Sequence, residues 1–82
     1  METNYLTKKE ALKFINHCYE NSIFIYGAER FKICQDKIIP DLSGIIDCSS
    51  LINNGYKASA LALIKFIESY DEDEYQLFTI VY

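Results

Sequence analysis

Tryptophan is absent from these 82 residues, and glycine occurs three times, proline once and histidine once. Each scarcity excludes something. Three isolated glycines cannot build a phosphate-cradling loop, which needs several within a few residues. One proline and three glycines leave no extended linker, so the chain reads as a single domain over 1–82. A lone His17 rules out the paired histidines of a zinc-protease helix, and no GxSxG or Ser-His-Asp set stands near it. Long apolar runs are missing too. Stretches such as Ala60 to Ile64 fall far short of the ~18–20 residues that span a bilayer. The first residues, Met1 to Phe14, put no apolar run behind their charges, so no secretory signal is expected.

Cysteine is present as Cys18, Cys34 and Cys48. An odd count without CxxC spacing argues against a disulfide framework or a zinc site and for a reducing, cytoplasmic setting. All three are expected to be buried structural thiols. Basic charge is sparse and scattered. Only Lys8, Lys9 and Lys13 cluster, which is too little for direct nucleic-acid binding, since phosphate affinity needs a basic face.

What the chain does have is half its residues hydrophobic and 15% aromatic, the composition of a folded domain rather than a disordered one. A domain this small buries only about 60–65% of its unfolded surface, so its core is modest. Its net charge of -4 is local. Glu68, Asp71, Glu72, Asp73 and Glu74 supply five of the twelve acids, and the remainder of the chain has seven acids against eight bases. The acidic run lies between Tyr70 and Tyr75. It has no glycine and no alternation of turn residues, so it does not read as a calcium loop. Its carboxylates, mutually exposed, would stay ionised rather than divide into an acid and a base. Two readings of the run are open. It is a solvated turn joining two apolar elements, or an acidic surface read by a basic partner, with the tyrosines as rigid anchors.

The periodicities give an element order. Thr7 followed by Glu10 is a capping box. From Lys8 to about Asn21, Ala11, Leu12, Phe14, Ile15, Cys18 and Tyr19 share one arc of a helix and His17 lies on the polar arc. His17 therefore reads as a solvent-facing residue with no nucleophile or carboxylate fixed beside it. Ser22 to Tyr26 reads as an interior strand stopped by Gly27. Phe31 to Cys34 can pair with Lys37 to Ile39 across Gln35-Asp36, Pro40 to Gly44 carries turn chemistry, and Ile45 to Cys48 suits a further short strand. After the breaker Asn53-Asn54-Gly55, a second helix is predicted from about Lys57 to Tyr70. Its polar stripe is narrow and contains Leu61. Tyr75 to Tyr82 is the strongest strand signal, apolar on both faces, and is expected inside the sheet next to Ser22–Tyr26. The fold class is α+β: a small mixed or antiparallel sheet with two helices packed on one face.

The start Leu6-Thr7-Lys8-Lys9-Glu10-Ala11, running into Asn21 to Gly27, resembles the opening of small bacterial toxin-immunity proteins, above all those that neutralise anticodon-cutting colicin ribonucleases. The other end is similar as well, with Ala62 to Glu68 and then Tyr75 to Val81 standing where such a domain has its closing helix and strand. The resemblance lies in element order and apolar pattern and covers the two ends, about half the chain, leaving Ala28 to Asn54 outside it. It implies a non-enzymatic protein that binds 1:1, as a monomer and without cofactor, in the cleft of a basic toxin, with acids in phosphate-like and tyrosines in base-like positions. The toxin would be a nuclease delivered by a bacteriocin or contact-dependent inhibition system. Candidate docking residues are Glu68, Tyr70, Asp71, Glu72, Asp73, Glu74 and Tyr75, with Glu29, Asp36, Asp41 and Asp47 in the middle region as competitors. The alternative expectation is a phage-encoded inhibitor of the anti-CRISPR kind, blocking a nucleic-acid groove with its acidic face.

Overall fold

A computed structural model describes residues 1–82. The capping box forms as the sequence predicts: the Thr7 hydroxyl accepts from the Glu10 N–H at 3.2 Å, and the Thr7 N–H donates to the Glu10 carboxylate at 2.9 Å. This opens α1, Lys8–Glu20, which buries Ala11, Ile15 and Cys18. Tyr19, expected on the apolar arc, is partly exposed and meets Tyr56 edge-on. At the far end Ser22 takes a φ of 57°, the Ile23 N–H bonds to the Cys18 carbonyl and the Ser22 N–H to that of Tyr19. That is a Schellman motif with serine where glycine is usual.

The strand predicted at Ser22–Tyr26 is displaced as a result. Ser22 belongs to the helix terminus, and Ile23 to Tyr26 form an extended lead-in. Ile25 is fully buried, and its N–H is met by the buried Ser59 hydroxyl rather than by a ladder. The apolar signal there reports core filling, not pairing. The ladder begins at β1, Gly27–Cys34. β1 turns into β2, Lys37–Asp47, through Gln35 and Asp36 with φ of 50° and 61°. Two successive positive φ values make the turn whose twist matches flanking strands, so the predicted hairpin is present.

Pro40 to Gly44 does not end a strand. Phe31 pairs with Pro40 and Glu29 with Ile45, so Asp41 to Gly44 bulge out opposite Arg30 alone, and the expected strand at Ile45 is the continuation of β2. Pro40 is tolerated because β2 is an edge strand. A Cβ at Gly44 would sit 2.7 Å from the Arg30 Cβ, so the bulge closes only over glycine. A short 3-10 segment, Ser49–Asn54, not foreseen in the sequence, leads through Gly55 (φ 87°) into α2, Tyr56–Glu68.

The last strand, β3, Gln76–Val81, runs antiparallel to β1, giving the order β2-β1-β3. Its neighbour is therefore Gly27–Lys32 rather than Ser22–Tyr26. Its other side is covered by the N-terminal segment: Leu6 and Phe78 exchange N–H to carbonyl bonds of 2.8 and 2.7 Å, the Thr3 N–H donates to the Ile80 carbonyl and the Thr3 hydroxyl accepts from the Ile80 N–H. β3 is therefore an edge strand rather than the interior strand that its two-sided apolarity predicts; the central place belongs to β1, and isolated bridges from the N-terminal segment shield β3's outer edge. Ala28, Phe78 and Ile80 face the helices and join Ile15, Leu63 and Ile67 in a single core. The intervening residues, among them Phe31, Leu77, Glu29 and Ile45, face away, so α1 and α2 cover one side of the antiparallel sheet and no helix covers the other. No helix is long and apolar enough to cross a membrane.

Candidate functional site

The acidic run connects α2 to β3, at the end of the sheet where the β1–β2 hairpin turns. What fixes it there is a network of side chains beneath it. Arg30, the only arginine, lies 4.5 Å over the Tyr70 ring, donates through Nε to the Gln76 side chain at 2.9 Å and pairs through Nη1 with Asp41 at 2.8 Å. Gln76, buried, donates in turn to the main-chain carbonyl of Asp71 at 2.6 Å. Lys8 Nζ holds the Tyr70 carbonyl at 2.8 Å, the Ile33 N–H donates to the Tyr75 carbonyl and the Asp73 side chain accepts from the Tyr75 N–H.

The loop is therefore anchored mainly through its main chain. The carboxylates of Glu68, Asp71, Glu72 and Glu74 make no hydrogen bond or ion pair; the molecule's one salt bridge joins Arg30 to Asp41. Arg30 is paired with another acid and Lys8 with the Tyr70 carbonyl, so no base pairs with these four carboxylates. The two tyrosines divide. Tyr70 packs inward against Phe66 and Phe78, whereas Tyr75 is 59% exposed.

Of the middle-region candidates, Asp36 stands at the tip of the hairpin, just past the end where the acidic loop lies. Asp41 is turned inward: the Ser43 hydroxyl and Arg30 hold its carboxyl below the usual range. Asp47 lies at the opposite end of the sheet, paired with Gly27 and hydrogen-bonded to the Ser49 hydroxyl and N–H, which keep it ionised at lower pH than usual. Glu29 sits on the uncovered face between Thr79 and Ile45. The fold thus gathers Glu68, Asp71 to Tyr75 and Asp36 at one end and leaves Glu29 and Asp47 apart from them.

His17 is exposed on α1 beside Asn21, with no catalytic partner. Cys18 and Cys48 are buried, and burial raises both thiols, with Asp47 adding to the effect at Cys48; Cys34, contrary to expectation, is exposed near the hairpin tip. No group of three or more His, Cys, Asp or Glu side chains is placed to hold a metal ion. Sequence reasoning missed the roles of Arg30 and Gln76. The available signal was a single arginine in a strand segment otherwise balanced between apolar and polar positions. Comparison of the chain with family models, with curated proteins and with solved structures finds no match.

Proposed function

We propose that the chain is a protein inhibitor of a basic partner, an immunity protein that acts in the cytoplasm by occupying the active-site cleft of a cognate nuclease toxin as a 1:1 complex without cofactor. The observation that carries this reading is the acidic loop: the carboxylates of Glu68, Asp71, Glu72 and Glu74 are uncompensated, on a segment whose main chain is fixed from below, beside the exposed ring of Tyr75. Fixed acids present a negative surface at little ordering cost, and a cleft lined by one sign of charge attracts its complement, raising association rates by about 10–10³. The hot-spot preference for rigid aromatic residues gives Tyr75 the role of anchor.

The test uses the C-terminal domain encoded by the gene immediately upstream. Coexpression should rescue cells from that domain, and the purified pair should form a complex at micromolar concentration. Neutralising Asp71, Glu72 and Glu74 together as amides should lower the association rate about tenfold or more at low salt, with the urea midpoint not lowered, because none of the three carboxylates makes an internal contact and their mutual repulsion is relieved. An upstream product that neither harms cells nor binds, or a neutralised variant that associates as fast as the parent, overturns the reading.

A further inference from the structure

The uncovered face of the sheet holds a second acidic feature, remote from the loop. Two cross-strand rows define it: Val81, Gly27 and Asp47 in one, Thr79, Glu29 and Ile45 in the next. Gly27, which the Ile46 carbonyl approaches so closely that no Cβ would fit, lines an open depression of about 240 Å³ together with its neighbours. Val81 and Ile45 give it apolar sides, and Tyr26 is among the residues that line it. Glu29 and Asp47 are diagonal neighbours across β1 and β2, a relation that sets the residues about 7–8 Å apart and their Cβ atoms somewhat closer. Neither is in a salt bridge, and no basic residue lines the depression. Asp47 is held in orientation through one carboxylate oxygen by Ser49, which leaves the other oxygen without a partner.

We propose that this depression seats an arginine side chain of the basic partner protein, its alkyl stem against Ile45 and Val81 and its guanidinium between Glu29 and Asp47. The site rests on the reading that the partner is a basic protein. A bare metal ion is poorly served, because no third ligand residue joins the two carboxylates and the walls between them are apolar. A guanidinium presents five donors in a fork and is weakly hydrated, which suits two carboxylates across an apolar floor. A second copy of the chain is disfavoured, since it would bring the same two acids against themselves. The acidic loop then draws the partner in, and the arginine seat on the open face fixes its orientation.

The probe is the peptide acetyl-Gly-Arg-Gly-amide, titrated into the intact 82-residue protein and followed by amide chemical shifts. The peptide with citrulline in place of arginine, which keeps the shape and removes the charge, is the control. Saturable shifts at Gly27, Glu29, Ile45, Asp47 and Val81 are expected, with a Kd of about 1 mM, ordinary for a fragment of this size. Glu29→Gln should weaken binding about fivefold, and Glu29→Gln with Asp47→Asn should abolish it, each being worth one charge-assisted contact. Citrulline should produce no shifts. Absence of saturable shifts, shifts confined to 71–75, or equal binding by the double variant would overturn the proposal. Urea melts of each variant show whether the fold is intact, and the neutralised acidic loop should leave peptide binding unaltered. The two readings fail separately: the peptide can bind when the upstream product does not, and loss of the peptide site leaves rescue by the loop to be scored by itself.

Discussion

Replacing Arg30 with methionine keeps most of the side chain's volume and removes its charge and donors. Two losses can be sized. The Gln76 side-chain oxygen, in a residue only 1% exposed, loses its donor at 2.9 Å, and a buried acceptor left unpaired costs about 1–3 kcal/mol. The guanidinium 4.5 Å over Tyr70 is also lost, and a largely desolvated cation over an aromatic ring contributes about 0.5–2 kcal/mol. Together the variant should lose about 2–4 kcal/mol, allowing that two contacts of one side chain are not strictly additive. The Asp41 carboxylate, released from its ion pair, acts in the same direction. In a domain of this length each kcal/mol lowers Tm by about 4–8 °C, so the expected fall is about 10–25 °C in a thermal melt. Hydrogen exchange adds a local reading. Because Gln76 also holds the Asp71 carbonyl, the Gln76 amide, bonded to the Asp73 carbonyl, should exchange faster than the amides of α1 do. A loss under about 1 kcal/mol, or uniform exchange with no local effect, would refute the assignment of Arg30 as the loop's anchor.

Four further outcomes are expected. Ser59→Ala removes the only partner of the buried Ile25 N–H and should cost about 1–3 kcal/mol in urea unfolding; a neutral result would mean that this N–H finds another acceptor. Thr79→Val deletes a buried, unpaired hydroxyl at constant shape and should stabilise by about 1 kcal/mol. Glu10, Asp41 and Asp47 have carboxyls lowered in the folded state, chiefly by Thr7, by Ser43 with Arg30, and by Ser49. The folded state therefore binds fewer protons than the unfolded one, and their stabilisation, complete above about pH 5, should fade as the pH drops through about 4 and below, so the urea midpoint should fall on acidification. Ser49→Ala should reduce that fall. With a thiol reagent, Cys34 should react at once in the native protein, while Cys18 and Cys48, buried and raised in pKa, should react only on unfolding.

The elements with a local signature were the ones legible in the sequence. The Thr7–Glu10 box fixed the start of α1, and the arc from Ala11 to Cys18 fixed its buried face. Gly55 fixed the start of α2, and the apolarity of β3 marked it as a strand, although its place is at the sheet's edge beside β1 and under the N-terminal segment. The misplaced strand at Ser22–Tyr26 shows where the signal fails. A β-branched and aromatic run is equally good for filling a core, and what separated the two was a serine hydroxyl 34 residues away accepting the Ile25 N–H. Pro40 and Gly44 carried true turn chemistry, yet a three-dimensional partner, Arg30, decided that the turn became a bulge inside one strand. At the candidate site, the charge excess of Asp71–Glu74 was plain from composition. The opposite orientations of Tyr70 and Tyr75 were not, because residues five apart on a loop have no fixed angular relation. Nor could Glu29 and Asp47 be placed on one face before the β1–β2 register was known.

Charge in this fold is sorted by role. Where an acid and a base are needed to hold the chain, they are brought together and shielded: Arg30 and Asp41 are 13% and 11% exposed and lie at the junction of the bulge, β3 and the acidic loop. The acids of the run form no ion pair, although eight bases are present in the chain. Lys8, the lysine nearest the loop, is directed to the Tyr70 carbonyl rather than to any of the carboxylates. A turn needed only for polarity could have taken serine or asparagine in these positions. Like charges grouped without compensation oppose the compact state, so their grouping on a main chain fixed from below is not explained by the fold, and it is the physical ground on which the proposed basic partner rests.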